Sequence, residues 1–181
     1  MTPESDPELR EALLAAVPSL RAFAISLSGQ VDRADDLVQD TLLRALANLH
    51  RFQPGTNLNA WLFTILRNLF HSEYRKRRRE VEDPDGSYAG RLKVQPQQSS
   101  HLDFEDFRSA LAKLPADQRE ALLLIGASGF SYEEAANICG CAVGTIKSRV
   151  NRARLRLASL LNVEDLEDLG PDSMTRAALQ G

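Results

Sequence analysis

Residues 131–161 read SYEEAANICGCAVGTIKSRVNRARLRLASLL, and this stretch decides the fold of the second half of the chain. Ser131 and Glu134 have the spacing of a capping box at the start of a helix. Gly140 is predicted to end that helix, because glycine readily adopts the left-handed conformation of a C-cap. A second helix is predicted over Val143–Leu161 after a short turn. Two helices joined by a short turn that contains glycine, the second of them basic, are typical of a DNA-binding helix-turn-helix.

The predicted second helix has two distinct faces when its residues are placed at about 100° intervals. One face is apolar and is predicted to pack in the core: Ile146, Val150, Ala153, Leu157 and Leu160. A polar face near the N-terminal end is predicted to meet base edges in the major groove: Thr145, Ser148, Arg149 and Arg152. Lys147 and Arg154 flank this face and are predicted to hold phosphates. An amphipathic surface helix with solubilising arginines is the alternative interpretation.

Basic residues are concentrated in two stretches, although the net charge is -3. Residues 67–79 contain six basic residues and one acidic residue, and residues 144–161 contain five basic residues and no acidic one. Because contact with phosphate depends on local charge and not on the average, the chain is predicted to have two DNA-binding surfaces. For either stretch alone, a solvated helix face remains the alternative.

Helical spacing of apolar residues recurs along most of the 181 residues, and a hydrophobic content of 43% is typical of packed protein. The sequence predicts an all-α fold of two small helical domains joined by a flexible linker. The first domain covers residues 1–80, and the linker covers residues 81–101, which are rich in Asp, Gly, Pro, Gln and Ser. The second domain covers residues 102–165. The tail, residues 166–181, has no predicted role.

Three helices are predicted in the first domain. The first covers Glu8–Ser28 and is predicted to be interrupted near Pro18, because proline fits a first helical turn but not a helix interior. The second is predicted to begin after an Asp32 N-cap and to extend to about Leu49. After a loop over residues 52–59, the third covers about Leu58–Arg79.

The third of these helices has a polar stripe that mixes asparagine, histidine and arginine: Arg67, Asn68, His71, Arg75 and Arg78. The preceding loop contains Phe52, Asn57 and Asn59. Aromatic rings stack on unpaired bases and amide groups bond their edges, so these residues are candidates for binding exposed bases as well as duplex phosphate. Trp61 and Phe63 are predicted to be core residues.

An outer face of the second helix is acidic and contains Asp36, Gln39, Asp40 and Leu43. Its acids would repel DNA, so contact with a protein partner is one interpretation. A solvated acidic face is the other.

Several classes of protein are disfavoured. The two cysteines, Cys139 and Cys141, have no second Cys or His pair at metal-site spacing, so neither a zinc site nor a disulfide framework is predicted. Apolar runs such as residues 121–127 are far shorter than the roughly 20 residues of a membrane helix. A cytoplasmic protein without a membrane partner is predicted. We find no phosphate-binding glycine loop, nucleophile elbow or metal cluster, so we expect no enzyme, no cofactor and no small-molecule substrate.

Two motifs together resemble a known family. Residues 32–68, DRADDLVQDTLLRALANLHRFQPGTNLNAWLFTILRN, are similar to region 2 of extracytoplasmic-function sigma factors. Residues 114–157, LPADQREALLLIGASGFSYEEAANICGCAVGTIKSRVNRARLRL, are similar to region 4. The stretches DPDGSYAGRLKVQPQQSSHLDFEDF (83–107) and GCAVGTIKSRVNRAR (140–154) most resemble the EcfG-type general-stress sigma factors of alphaproteobacteria.

The resemblance implies a sigma factor that binds core RNA polymerase and directs initiation at promoters, under control of a NepR-like anti-sigma factor. It implies that the loop over residues 52–59 captures a flipped base of the minus-10 element, and that Asn68, His71 and Arg75 engage DNA. The positions that match the minus-35 reader are Thr145, Ser148, Arg149, Arg152 and Arg154. Those that match the surface for the clamp coiled coil of the largest polymerase subunit are Asp36, Gln39, Asp40 and Leu43.

Two rival functions remain open at the level of sequence. A sigma-like decoy would bind the anti-sigma factor without binding promoters; it is expected to lack basic readers such as Arg75, Arg149 and Arg152, which this chain has. A dimeric helix-turn-helix repressor would leave the first domain and its acidic face unexplained.

Overall fold

The computed structural model describes residues 7–80 and 102–162, and within those ranges it contains seven α-helices and one short 3₁₀ helix but no β-strand. The predicted all-α fold is confirmed. The α-helices are α1 (Pro7–Ser28), α2 (Val31–Ala47), α3 (Leu58–Glu80), α4 (Leu102–Ala112), α5 (Ala116–Gly126), α6 (Tyr132–Cys139) and α7 (Val143–Leu161); the 3₁₀ helix is Leu49–Arg51. The predicted linker (81–101) and tail (166–181) lie outside the described residues.

The chain divides into two compact units, the first containing α1 to α3 and the second containing α4, α5, α7 and most of α6. In the first unit each helix packs against the other two. The Phe23 and Phe63 rings join α1 to α3 with their centroids 5.0 Å apart. Burial of a large apolar side chain contributes about 1.5 to 3 kcal/mol, so this core holds the three helices together. Its largest fully buried apolar side chains are Leu20, Leu37, Leu62, Phe63 and Leu66.

The helix α1 continues through Pro18, so the predicted interruption is wrong. The proline ring is exposed, and the residues around it on the inner face, Ala16 and Leu20, are buried. Packing of this face against α2 and α3 offsets the backbone hydrogen bond that proline removes. Packing against the other two helices therefore overrides the low helix propensity of Pro18.

The helix α1, with 22 residues, is long and apolar enough to cross a membrane by length and composition alone. The core helix of a globular protein has the same properties. Because Leu13, Leu20 and Phe23 of α1 are buried against the rest of the first unit, we interpret α1 as a core helix.

The helix α2 begins two residues earlier than predicted, with Gln30 and not Asp32 at the N-cap. Asp32 instead lies in the first turn, where its negative charge interacts favourably with the helix dipole. Leu42 is only half-buried, whereas the neighbouring Thr41 is fully buried. The Thr41 hydroxyl donates a hydrogen bond of 2.6 Å to the Leu37 carbonyl, which satisfies it inside the core.

In the second unit, α4 and α5 pack against α7. Ala153 and Leu157 of α7 cluster with Ala110 and Leu114, as their place on the apolar face predicts. Leu160 was predicted to share that face, but it is 38% exposed in the last turn of α7. A helical wheel predicts the direction in which a side chain points. It does not predict whether a neighbouring helix extends far enough along α7 to cover that side chain.

The capping box at the start of α6 is confirmed. The Glu134 backbone N–H donates to the Ser131 hydroxyl at 3.1 Å, and the Ser131 N–H donates to the Glu134 carboxylate at 2.9 Å. Gly140, with φ of +64°, then turns the chain after α6, and α7 begins at Val143 as predicted. The two helices have the order and spacing of a helix-turn-helix.

Replacing Ser131 by Ala is expected to lower the free energy of opening of α6 by about 1 kcal/mol, because one N-terminal N–H loses its acceptor. Hydrogen exchange of the α6 amides in the full chain measures this quantity. Ser109→Ala, at an exposed position of α4, is the control and should leave α6 unchanged. Equal protection of α6 in the two variants would contradict a stabilising capping box.

Candidate nucleic-acid and polymerase interfaces

The N-terminal half of α7 presents the predicted minus-35 residues at the surface of the second unit. The buried face at Ile146 and Val150 turns the opposite residues outward. The Ser148 hydroxyl donates to the Thr145 backbone carbonyl at 3.0 Å, so the Ser148 side chain lies close to the helix. Thr145 and Ser148 are both half-buried. The remaining basic residues differ in exposure: Lys147 and Arg152 are exposed, whereas Arg149 and Arg154 are half-buried.

Two of these cations are held by residues outside α7. The Lys147 ammonium lies 5.7 Å from the centre of the Tyr132 ring, a cation–π contact that links α7 to the start of α6. Arg149 forms an ion pair with Asp117 of α5, with its Nε 3.2 Å from the carboxylate. Asp117 was missed by the sequence analysis, since nothing in the local pattern joins α5 to this position of α7.

The polar stripe on α3 divides into an exposed and a half-buried part. Asn68, Arg75 and Arg78 are exposed, while Arg67 and His71 are half-buried. The His71 ring meets the Phe70 ring edge-on at 5.4 Å, and its Nε2 atom is buried. The exposed members of the stripe are therefore the ones accessible to a binding partner.

The loop before α3 uses part of its polar chemistry to start the helix. The Ala60 backbone N–H donates to the Asn57 side-chain oxygen at 3.2 Å, which is the bond of an N-cap. Phe52 packs against Trp61, with their ring centroids 5.3 Å apart and both rings half-buried. Trp61 therefore stands beside Phe52 at the edge of the loop, not in the interior as predicted. Asn59 is exposed in the first turn of α3.

The acidic face of α2 forms one side of a cleft. Asp36, Gln39 and Asp40 line an open cleft of about 400 Å³ together with Arg33 of α2 and residues of α3: Glu73, Lys76 and Arg77. The outer face of α2 was predicted to be acidic, but the cleft carries both signs of charge because α3 lies alongside α2. Leu43 lies one turn further along and is 58% exposed. A charged cleft beside an exposed leucine is suited to a protein partner of mixed charge.

Arg33 lines this cleft and contacts both of its helices. Its guanidinium lies 5.3 Å from the centre of the Phe70 ring and 3.7 Å from the Glu73 carboxylate, so it connects α2 to α3. Burial, followed by repulsion from Arg77, lowers the pKa of Arg33, and Glu73 opposes that change. These contacts of Arg33 hold the acidic face of α2 in a fixed position relative to the basic stripe of α3.

Neither cysteine forms a disulfide; Cys139 is buried and Cys141 is half-buried. Cys141 accepts a long hydrogen bond of 3.9 Å from Nη1 of Arg149. Within residues 7–80 and 102–162, no group of three or more His, Cys, Asp and Glu side chains is arranged to hold a metal ion.

Family models match the two units in the order that the resemblance implies. Sigma-70 region 2 matches residues 13–80, which contain α2, α3 and most of α1. Sigma-70, region 4, matches residues 104–157, which contain α5, α6 and most of α4 and α7.

Curated relatives agree with these matches. The ECF RNA polymerase sigma factor EcfG of Rhodopseudomonas palustris is 75% identical over 173 residues, which is 96% of each chain. The ECF RNA polymerase sigma factor SigC of Mycobacterium tuberculosis is 36% identical over 83% of this chain and 78% of its own length.

Solved structures of sigma factors have the same fold. The sigma factor RpoE of Bartonella quintana, in complex with the anti-sigma factor NepR, is 59% identical with a TM-score of 0.79, over 88% of this chain and 100% of that one. CnrH in complex with the cytosolic domain of CnrY is 26% identical with a TM-score of 0.65, over 90% and 93% of the two chains. With both sigma-70 regions matched in order and a relative 75% identical along nearly its whole length, this chain belongs to the ECF family of RNA polymerase sigma factors.

Proposed function

We propose that this chain is an EcfG-type sigma factor that binds core RNA polymerase, directs initiation at general-stress promoters and is held inactive by a NepR-like anti-sigma factor. The observation that supports the proposal is the combination of three surfaces. The first unit has an acidic face on α2 and a basic stripe on α3, and the second unit has a basic helix-turn-helix. Bond formation belongs to the polymerase, so the chain needs no catalytic centre of its own. The polymerase works in the cytoplasm, which we propose as the place of action.

The polymerase surface comprises Asp36, Gln39, Asp40 and Leu43 of α2. Their exposure and their place in the mixed-charge cleft support contact with the clamp coiled coil of the largest subunit. Lys76 and Arg77 from α3 extend that surface, so acidic as well as basic groups of the partner are expected to find complementary charge.

The DNA surfaces follow from the basic residues that remain exposed. In the first unit, Asn68, Arg75 and Arg78 are proposed to contact the minus-10 region, with Arg67 and His71 beside them. Phe52, Asn57 and Asn59 in the loop before α3 are proposed to capture a base; the packing of Phe52 on Trp61 leaves the ring half-exposed for stacking. In the second unit, the minus-35 element is proposed to be read by Thr145, Lys147, Ser148, Arg149, Arg152 and Arg154.

Control by an anti-sigma factor is supported by similarity to a sigma factor solved with NepR. The domain limits that we propose are residues 1–80 and 102–165, with residues 81–101 between them and residues 166–181 as a tail.

Run-off transcription with core polymerase tests the proposal. On a library of genomic fragments, the full chain is expected to produce discrete start sites that core polymerase alone does not produce. Addition of a NepR-like protein is expected to abolish those transcripts. If the chain binds the NepR-like protein but yields no promoter-specific transcript, it is a sigma-like decoy and the proposed function is wrong.

A further inference from the structure

The ion pair between Asp117 and Arg149 lies at the base of the DNA-reading helix. Asp117 is in the first turn of α5, and Arg149 is in the second turn of α7. Nε of Arg149 lies 3.2 Å from the Asp117 carboxylate, with the arginine side chain 25% exposed and the aspartate 51% exposed. The packing of α5 on α7 brings the two residues together.

Stability does not explain this pair. An ion pair with this exposure contributes little to folding, because water and salt screen it. A carboxylate beside a DNA-reading helix also repels phosphate, which is a disadvantage for a protein that must bind DNA. The pair is better explained by what it does to the arginine.

The pair restricts the direction of the Arg149 guanidinium without using up its donors. An unrestrained arginine loses much rotamer freedom when it binds a base, and a contact that fixes it beforehand reduces that loss. Asp117 contacts Nε, which carries one of the five N–H donors of the guanidinium. Nη1 donates a long hydrogen bond to Sγ of Cys141, a weak acceptor that the stronger acceptors of a guanine edge would replace.

Arg152, one turn further along α7, behaves differently. It is exposed, and the structure shows no ion pair for it within residues 7–80 and 102–162. A loosely held arginine can reach either a base edge or a phosphate, whereas an arginine with a fixed direction is suited to one particular base.

We infer that Asp117 is a positioning residue that orients Arg149 to read one guanine of the minus-35 element, and so raises sequence discrimination and not overall affinity. This inference rests on the proposed role of Arg149 in DNA binding. Asp117 itself need not touch DNA.

The test is base discrimination by the full chain assembled with core polymerase. The probe is a promoter duplex selected by the wild-type holoenzyme from a pool randomised in the minus-35 element, together with its single-base variants. Arg149→Ala identifies the base pair at which discrimination is lost, by about tenfold or more. Asp117→Asn, which keeps the size and removes the charge, is expected to lower discrimination about three- to tenfold at that same base pair.

Two further variants separate positioning from charge. Asp106→Asn removes an equal charge from an exposed site on α4 and should leave discrimination unchanged. In the Arg149→Ala background, Asp117→Asn should cause no further loss, because the residue that it positions is gone.

Each other outcome counts against the inference in a distinct way. If Asp117→Asn strengthens binding to all duplexes and keeps discrimination, Asp117 only repels phosphate and the inference is overturned. If Arg149→Ala loses no discrimination, the proposed role of Arg149 fails, and the inference fails with it. A loss that also appears when Arg149 is already absent would show that Asp117 acts through another residue.

Discussion

Arg149→Ala and Arg152→Ala are each expected to abolish transcription from promoters that depend on the minus-35 element, while leaving binding to core polymerase unchanged. A charge-assisted contact of arginine with a base contributes about 1 to 3 kcal/mol, which corresponds to roughly 5- to 150-fold in affinity. The Arg149 variant is expected to be the more severe, because it also leaves the Asp117 carboxylate unpaired beside DNA.

Promoter binding by the assembled holoenzyme, followed by run-off transcription, measures this effect. Arg156→Ala is the matched control: it lies on the same side of α7 as Arg149, two turns further from the N-terminal end, and is exposed. Its removal is expected to weaken binding slightly and equally on all sequences, as loss of a phosphate contact does. Loss of polymerase binding by the Arg149 or Arg152 variant would contradict the assignment of α7 to DNA.

Asp40→Lys combined with Leu43→Ala is expected to weaken binding of the chain to core polymerase by roughly tenfold or more. Leu43 is 58% exposed in the free chain, and burying a leucine at an interface contributes on the order of 1.5 kcal/mol or more. Reversal of charge at Asp40 adds repulsion against a basic group of the partner and changes the charge balance of the cleft. Affinity is measured by titration of labelled core polymerase with the full chain.

A matched control is available on α1. Glu11→Lys with Leu14→Ala makes an equivalent charge reversal and the same leucine truncation at the same spacing, on a helix without a proposed polymerase contact. Leu14 is 63% exposed. This control is expected to bind polymerase as the wild type does. If the Asp40 and Leu43 variant kept its affinity for polymerase and lost only DNA, the two faces would have to be exchanged.

Local sequence signals were sufficient for the helix-turn-helix. The capping box at Ser131 and Glu134, the turn at Gly140 and the start of α7 at Val143 all depend on residues within a few positions of one another. Hydrogen bonds of this range are encoded in the order of the residues, so spacing alone predicted them. The apolar period of α7 likewise predicted its buried face, except at Leu160.

What the sequence by itself determined is therefore the helical class, most helix limits and the residues on each helix face. What only the tertiary structure decided is how one helix modifies the chemistry of another. Packing on α2 and α3 keeps α1 continuous through Pro18, α3 turns the acidic face of α2 into a mixed-charge cleft, and α5 places Asp117 against Arg149. These effects arise from contacts between residues distant in the chain, and periodicity within a single helix carries no information about which side chains of another helix will meet it.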